Sequence, residues 1–446
     1  MIMQRSAFAV FLVTLGLSFT LQTSAATDQS LLNAARAQQP AVIQSLRDMV
    51  NIESGSDDAA GLERMADYAT TQLKALGATV TRIPATNGKP PGSVEGVFKG
   101  SGKLRIMLIG HMDTVYRKGI LHAEPYHRDG NELYGPGIAD DKGGIATILG
   151  TLAILKQQGW KNYAQITVLF DPDEEIGSPG SGKIIANRGA KQDVVLSYEP
   201  SPAKAVAGHE GVLLKAAGTG SIRLAVQGRA AHAGAASEEG RNALIELAHQ
   251  LLQTRELASR VPGTQMNWTM AESGTARNQI PERATATSDV RFTESGAAEK
   301  LLDAVKAKVA EHHLVPDATD EVTLEIARPM YDAGPRGLAL AKLAQSVYGG
   351  LDAGDLAAEP SREMPGGELA FSGRNLLLLP GTTGGTDAGF AGSSGKAAVL
   401  ESLGLAGWGY HARDEYIEID SIVPRLYLSA RMLMELGRQA EAGKLP

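Results

Sequence analysis

Cysteine is absent from all 446 residues. That excludes a disulfide framework, an iron–sulfur cluster, a cysteine nucleophile and a thiolate zinc finger, so any metal must be held by histidines and carboxylates. Histidine is scarce as well, with nine in the chain, which shortens the search for ligands. Basic charge is not in surplus: 43 Lys and Arg stand against 50 Asp and Glu, a formal charge of −7. With no local Lys/Arg cluster either, nucleic acid is not an expected partner. Internal repeats and long low-complexity tracts are missing, and 43% apolar with 21% charged residues is ordinary globular composition. Length alone suggests two or three domains at roughly 150 residues each.

Only the first residues form a long apolar run. Arg5 is followed by apolar Ala7 to Leu21 and then by Gln22-Thr23-Ser24-Ala25-Ala26. A basic start, an apolar middle and small residues before a cut after Ala25 or Ala26 describe a cleavable secretory signal over 1–25. The competing reading, an uncleaved anchor, needs a run of roughly 20 residues, longer than this one. Nothing later reaches 18 consecutive apolar residues, so the expectation is a periplasmic or secreted protein without a membrane anchor after signal removal.

Periodicity organises the rest. Met65, Ala66, Tyr68, Ala69, Leu73 and Leu76 recur at helical spacing, with Gly77 as the stop. Thr79 to Ile83, Leu104 to Ile109, Ile166 to Phe170 and Val194 to Tyr198 read as strands, and Gly144 to Gln158 as a helix. This alternation predicts an α/β catalytic domain with a helix-covered, largely parallel sheet. After about Gly218 the order becomes βαββαβ: a strand at Ile222–Val226, a helix at Asn242–Leu252, strands at Gln265–Met270 and Ala284–Phe292, a helix at Ala297–His312 and a strand at Val322–Ala327. That is the ferredoxin-like α+β order. From about Arg328 the helix–strand alternation resumes. The predicted division is therefore a catalytic domain over 26–212 and 327–446 with a domain inserted at 213–326.

Four segments put polar groups just past strand ends, where ligands gather in open α/β sheets. In His111-Met112-Asp113, an acid two residues from an imidazole is the pattern in which a carboxylate orients a metal-bound histidine, although alone it does not separate a ligand from a structural histidine. Gly135 to Gly144 carries Asp140 and Asp141 at a helix start; Asp141 suits the cap, which leaves Asp140 for another task. The segment lacks the Gly-Lys-Ser/Thr element of a phosphate loop. In Asp171-Pro172-Asp173-Glu174-Glu175, four acids within five residues repel one another unless a cation offsets them. Glu199 ends a further apolar strand.

With Gly384-Gly385-Thr386-Asp387 and Tyr410-His411, these motifs resemble the di-zinc exopeptidases, a family that includes carboxypeptidase G, succinyl-diaminopimelate desuccinylase, tripeptidases and aminoacylases. The resemblance runs from about Gln39 to Gly437 and is strongest to the folate-hydrolysing glutamate carboxypeptidase branch, including Ala230 to Ala236 and Glu401 to Leu405. It implies that His111 and Glu199 bind one Zn²⁺, that Glu175 and His411 bind another, and that Asp140 bridges them, with Co²⁺ or Mn²⁺ as substitutes. Two such ions carry +4 against −3 from the three ligand carboxylates. Asp113 is implied as the partner of His111, and Glu174 as the general base. His232 is implied to reach the other subunit's active site and stabilise the oxyanion, so a homodimer with the inserted domain as its dimerisation unit is expected. Arg291, Asn278, Gly385 and Lys215 are the implied substrate contacts, and hinges are expected near residues 212 and 326.

His122, His127, His209, His249, His312 and His313 have no motif around them and read as structural or solvent residues. Between Leu351 and Gly381 the chain is longer than the family pattern, which loosens substrate identity more than reaction type. The function these readings imply is zinc-dependent hydrolysis of a C-terminal amide or peptide bond, releasing glutamate from folate-like, acyl-amino-acid or peptide substrates. An aminoacylase or dipeptidase with the same metal chemistry is the alternative. A non-catalytic metal- or peptide-binding protein of the same fold would be expected to have lost a ligand or the base, and none is missing.

Overall fold

In the computed structural model, residues 27–89, 91–351 and 376–446 are described. The expected signal at 1–25 and most of the 351–381 segment lie outside them. Among the described residues no helix is long and apolar enough to cross a membrane.

A six-stranded sheet forms the centre of the larger unit. Its spatial order is Thr79–Ile83, Ser93–Lys99, Gln165–Asp171, Arg105–His111, Val194–Ser197 and Ala398–Leu400. The last four run parallel, while Ser93–Lys99 is antiparallel to both of its neighbours. Periodicity does not mark out Ser93–Lys99, because Glu95 and Gly96 interrupt its apolar residues; Gly96 packs under Leu73, where a Cβ would come within 3.1 Å of that side chain. Parallel strands buried on both faces need near-continuous apolar sequence. Ile106, Met107, Leu108, Val168, Leu169, Phe170, Val194, Val195 and Leu196 supply it, each fully buried.

Helices Gln29–Val50, Lys142–Gln157 and Ile422–Glu441 pack together over one face. The start of Lys142–Gln157 is fixed by Asp141, whose Oδ1 accepts the N–H of Gly144 at 3.0 Å while Oδ2 accepts that of His111 at 3.2 Å. A cap of this kind stabilises a helix by about 1 kcal/mol, and here it also ties the helix start to the end of a central strand.

The smaller unit is a four-stranded antiparallel sheet ordered Thr264–Ser273, Arg283–Phe292, Gly218–Gln227 and Thr319–Arg328. Helices Ala243–Thr254 and Ala297–Glu311 pack on it around a core of its own that includes Ile222, Leu224, Val290, Leu301 and Val305. This is the ferredoxin-like arrangement inserted into the α/β unit. The outgoing and returning chains run side by side, Lys215–Ala216 pairing antiparallel with Tyr331–Asp332.

Candidate metal centre and active site

Three adjacent parallel strands carry the first half of the site. In register, His111 lies opposite Asp171 and Ile109 opposite Ser197, so the residues just past these strand ends, Glu174, Glu175 and Glu199, converge beside His111. The acidic run then divides. Asp173 turns into the loop, accepting from Ser181 Oγ and Gly180 N at 2.5 Å each, and Asp171 accepts from Ser181 Oγ at 3.3 Å. Glu174 and Glu175 line the cavity. Mutual repulsion expected from four acids is thus relieved by hydrogen bonds for two of them.

Asp140 comes from the glycine-rich turn, which a buried carboxylate holds in shape: Glu415 accepts the N–H groups of Gly137, Ala139 and Asp140 at 2.9, 2.8 and 3.0 Å. Burial pushes the Glu415 carboxyl up to about 7. His411 stands in the turn just before Glu415, with φ of 63°, a region that side chains other than glycine seldom occupy.

Asp140 joins two clusters. Its Oδ1 is 2.9 Å from His111 Nε2 and its Oδ2 is 3.3 Å from His411 Nε2. Glu199 Oε1 lies 3.8 Å from His111 Nε2, and Glu175 Oε2 lies 3.1 Å from His411 Nε2. His111, Asp140 and Glu199 form one group, and Asp140, Glu175 and His411 the other, with ligand atoms inside each group no more than 4.8 Å apart. Two imidazoles and two carboxylates around a third, shared carboxylate fit a pair of divalent ions of zinc type.

Electrostatics agree with that fit. Burial raises the Glu175 and Glu199 carboxyls, with Asp140 adding repulsion at both. Burial would raise Asp140 too, but hydrogen bonds from His111 and His411 hold it low. Hydrogen bonds to Asp140 and Glu175 push His411 up to about 10. At His111, burial opposes the proton and the surrounding carboxylates, Glu199 foremost, outweigh it. In the metal-free chain the imidazoles hold the positive charge that cations would otherwise supply.

Asp113 orders the site from below. It is fully buried, and its Oδ1 is 3.2 Å from His111 Nδ1. Its two oxygens also accept the backbone N–H groups of Glu174 and Glu175, each at 3.1 Å, and Oδ2 accepts from Ser56 Oγ at 2.8 Å. A proton held on Nδ1 facing Asp113 leaves the Nε2 lone pair for a metal. Glu174 is buried, and burial pushes its carboxyl up to about 8 against the pull of Arg328. Arg328 Nη1 donates to Glu174 Oε1 at 2.5 Å, and Nη2 donates to the Glu174 carbonyl. Sequence reading passes over Arg328 and Glu415. The signal available for Arg328 is an arginine closing a strand of the inserted unit directly before Pro329.

A cavity of about 1060 Å³ opens over these groups, and Arg291, Arg328 and Gly385 line it. Arg291 is paired within its own strand to Asp289 at 2.9 Å. At Gly385 a Cβ would come within 2.9 Å of Arg328 Nη1 and 3.0 Å of its Cδ, so the bare backbone leaves room for that guanidinium. Lys215 is not brought to this cavity; it pairs with Asp332 at 3.1 Å and lines a separate pocket. His232 and Asn278 do not line the cavity either. They lie close together on two exposed segments, where Ala231–His232 pairs antiparallel with Gln279–Ile280 and Ala233 N donates to Asn278 O at 2.9 Å. His232 Nδ1 accepts the N–H groups of Gly234 and Ala235 at 3.1 and 3.0 Å, which leaves the proton on Nε2 as an outward donor.

Comparison with known proteins matches the profile of Peptidase family M20/M25/M40 to residues 107–370. Carboxypeptidase G2 from Pseudomonas sp. (strain RS-16) is 39% identical over 436 residues, 97% of this chain and 98% of that protein. Succinyl-diaminopimelate desuccinylase from Gluconacetobacter diazotrophicus is 27% identical over 408 residues, covering 87% and 95%. Among solved structures, an M20 family metallo-carboxypeptidase from Sulfolobus solfataricus superposes with a TM-score of 0.62 at 16% identity, covering 88% of this chain and 98% of that one. Aminopeptidase PepT from Bacillus cereus gives 0.65 at 17%, covering 89% and 98%.

Proposed function

The chain belongs to peptidase family M20/M25/M40 and is a metallo-exopeptidase, and from that premise we propose that it hydrolyses C-terminal amide or peptide bonds to release glutamate from folate-like or N-acyl substrates. The observation that carries this reading is the Asp140 carboxylate shared between His111–Glu199 and Glu175–His411, with Glu174 beside it. His111, Asp140, Glu175, Glu199 and His411 would hold two Zn²⁺ ions, or Co²⁺ or Mn²⁺ in their place, which would supply Lewis acidity toward a scissile carbonyl and a water of lowered pKa.

The chain's own groups do the rest. Glu174 takes the proton of the attacking water and delivers it to the leaving nitrogen. Asp113 fixes the His111 ring and the backbone of Glu174 with one carboxylate, and Arg328 holds the Glu174 side chain in the cavity. Arg291 offers a planar guanidinium on the cavity wall, suited to a substrate carboxylate. The volume accommodates a substrate of folate size.

Export and assembly are part of the proposal. The first 25 residues direct the chain out of the cytoplasm and are removed, and the mature protein works as a homodimer in which His232 of one protomer donates from Nε2 to the oxyanion formed in its partner. The Nδ1 contacts that leave Nε2 protonated support this role.

A substrate panel tests the reading. On zinc-loaded protein, kcat/KM for folates and N-acyl glutamates is expected to exceed that for N-acetyl aliphatic amino acids and dipeptides by about tenfold or more, the discrimination one well-placed polar contact can supply. The reverse order would assign the chain to the aminoacylase or dipeptidase branch.

A further inference from the structure

The smaller unit holds a second group of ligand-type side chains, far in sequence from the catalytic motifs. Helix Ala243–Thr254 turns Glu246, His249 and Gln250 to one face at i, i+3 and i+4. The turn after helix Ala297–Glu311 brings His312 and His313, and the start of strand Thr319–Arg328 brings Asp320. Donor atoms of Glu246, His313 and Asp320 all lie within 4.8 Å of one another.

Two carboxylates are buried there. Glu246 is completely buried, and the Asp320 side chain is 2% exposed. Glu246 accepts from Gln250 Nε2 at 2.7 Å and from Val315 N at 2.6 Å. Asp320 Oδ2 faces His313 Nε2 at 2.9 Å, yet its Oδ1 is buried without a hydrogen-bond partner among the described residues. An unpartnered buried carboxylate oxygen is costly, and Glu246 beside it adds like charge. Burial and that repulsion raise the Asp320 carboxyl. The single His313 imidazole faces Asp320 Oδ2, and no cationic side chain is paired with Glu246 among the described residues.

We propose that Glu246, His313 and Asp320 form a separate divalent-cation site of zinc type, which pins the helix, the turn and the strand of the smaller unit to one another. One imidazole nitrogen and two carboxylate oxygens are donors that zinc accepts. Ligand atoms around a tetrahedral ion with bonds near 2.0–2.1 Å stand about 3.3 Å apart; here the His313–Asp320 pair is at 2.9 Å and all three donors lie within 4.8 Å, so small side-chain rotations would close the set on an ion. Gln250 Nε2 stands within 3.5 Å of Asp320 Oδ2 while it holds Glu246, as a residue orienting two ligands would. His249 is near enough to act on the Asp320 charge, and its Nε2 pairs with His312 Nδ1 at 3.1 Å, so two further imidazoles border the site. These histidines read as structural or solvent residues in the sequence because their partners are distant along the chain. The site assembles only when helix, turn and strand meet.

Zinc alone is the probe. Metal-stripped full-length chain is titrated with Zn²⁺ against a chromogenic chelator, in the wild type and in the variants His313→Ala and Asp320→Asn. Each variant is expected to bind one zinc fewer than the wild type, or to bind it roughly 100-fold more weakly, while the hydrolytic rate at saturating zinc stays unchanged. The difference in zinc count is read between variants, so it does not depend on how many ions the catalytic centre takes or on which substrate it prefers. Equal numbers and affinities in all three proteins would overturn the proposal and leave an ion pair only. A deficit in one variant alone would overturn the three-ligand assignment. The unaltered chain gives an independent reading: the imidazole ¹⁵N resonances of His313 shift as zinc is added, and unchanged resonances at saturating zinc overturn the site.

Discussion

Asp113 Oδ1 accepts the backbone N–H of Glu174 at 3.1 Å, and the same oxygen lies 3.2 Å from His111 Nδ1. Asp113 therefore sets both the His111 ring, whose Nδ1 also meets the Asp113 carbonyl at 3.1 Å, and the residue proposed as the base. Asp113→Asn keeps the shape but removes the charge that orients the imidazole. Metal affinity is expected to fall by about 10- to 100-fold, as for other partners of metal-bound histidines, with kcat lowered even at saturating zinc and KM nearly unchanged. Zinc titration and steady-state kinetics on the same preparation check both parts.

Glu174→Gln separates metal binding from proton transfer. The amide oxygen can still accept from Arg328, so the cavity wall is kept. Zinc content is expected to match the wild type while kcat drops by about 10²- to 10⁴-fold, the usual contribution of a positioned general base. Near-normal turnover would remove Glu174 from that role.

His232 offers a test of sharing across a dimer. Homodimers of His232→Ala and of Glu174→Ala are each expected to be nearly inactive. Mixed dimers pair an intact Glu174 in one protomer with an intact His232 in the other, so one of the two sites is complete. Activity recovered on mixing and refolding the two variants is the expected outcome; none would place the function of His232 within its own chain.

Glu401 provides a pH signature on the metal-free protein. It is completely buried, and burial pushes its carboxyl up to about 7 although Ser402, Thr386 and Ser197 all hydrogen-bond to it. The folded chain keeps this proton at pH values where the unfolded chain has released it. Its contribution to stability is therefore full below the unfolded value near 4.5 and is lost as pH rises towards 7. Glu401→Gln carries no such proton. Relative to the variant, the metal-free wild type is expected to lose on the order of 3 kcal/mol between pH 4.5 and 7, measured by denaturant unfolding. A stability difference that stays flat over this interval would contradict it.

Legibility follows the physics of each element. His111 ends a strand and Asp140, Glu174, Glu175 and Glu199 stand just past strands or just before a helix start, so the periodicity that locates those elements also locates the residues. His411 rests on a turn without periodicity and is reached through its motif alone. Arg328 escapes because its position at a strand end before Pro329 does not point to its partner: Glu174 is 154 residues away. Glu415 is similar, since its work is to accept three backbone N–H groups of the turn at 137–140. Ser93–Lys99 is hidden because a glycine and a charged residue interrupt its apolar alternation. Lys215 shows the converse, a residue implied by the resemblance whose side chain meets Asp332 and lies outside the cavity.

The central claim is that hydrolysis depends on divalent ions held by His111, Asp140, Glu175, Glu199 and His411. Its most direct test is the rate of glutamate release from a folate or N-acyl glutamate, measured on protein stripped of metal and then titrated with Zn²⁺. The expected result is a rate near zero in the stripped protein and recovery to a plateau as zinc is restored. Full activity in protein shown by metal analysis to be free of ions would contradict it.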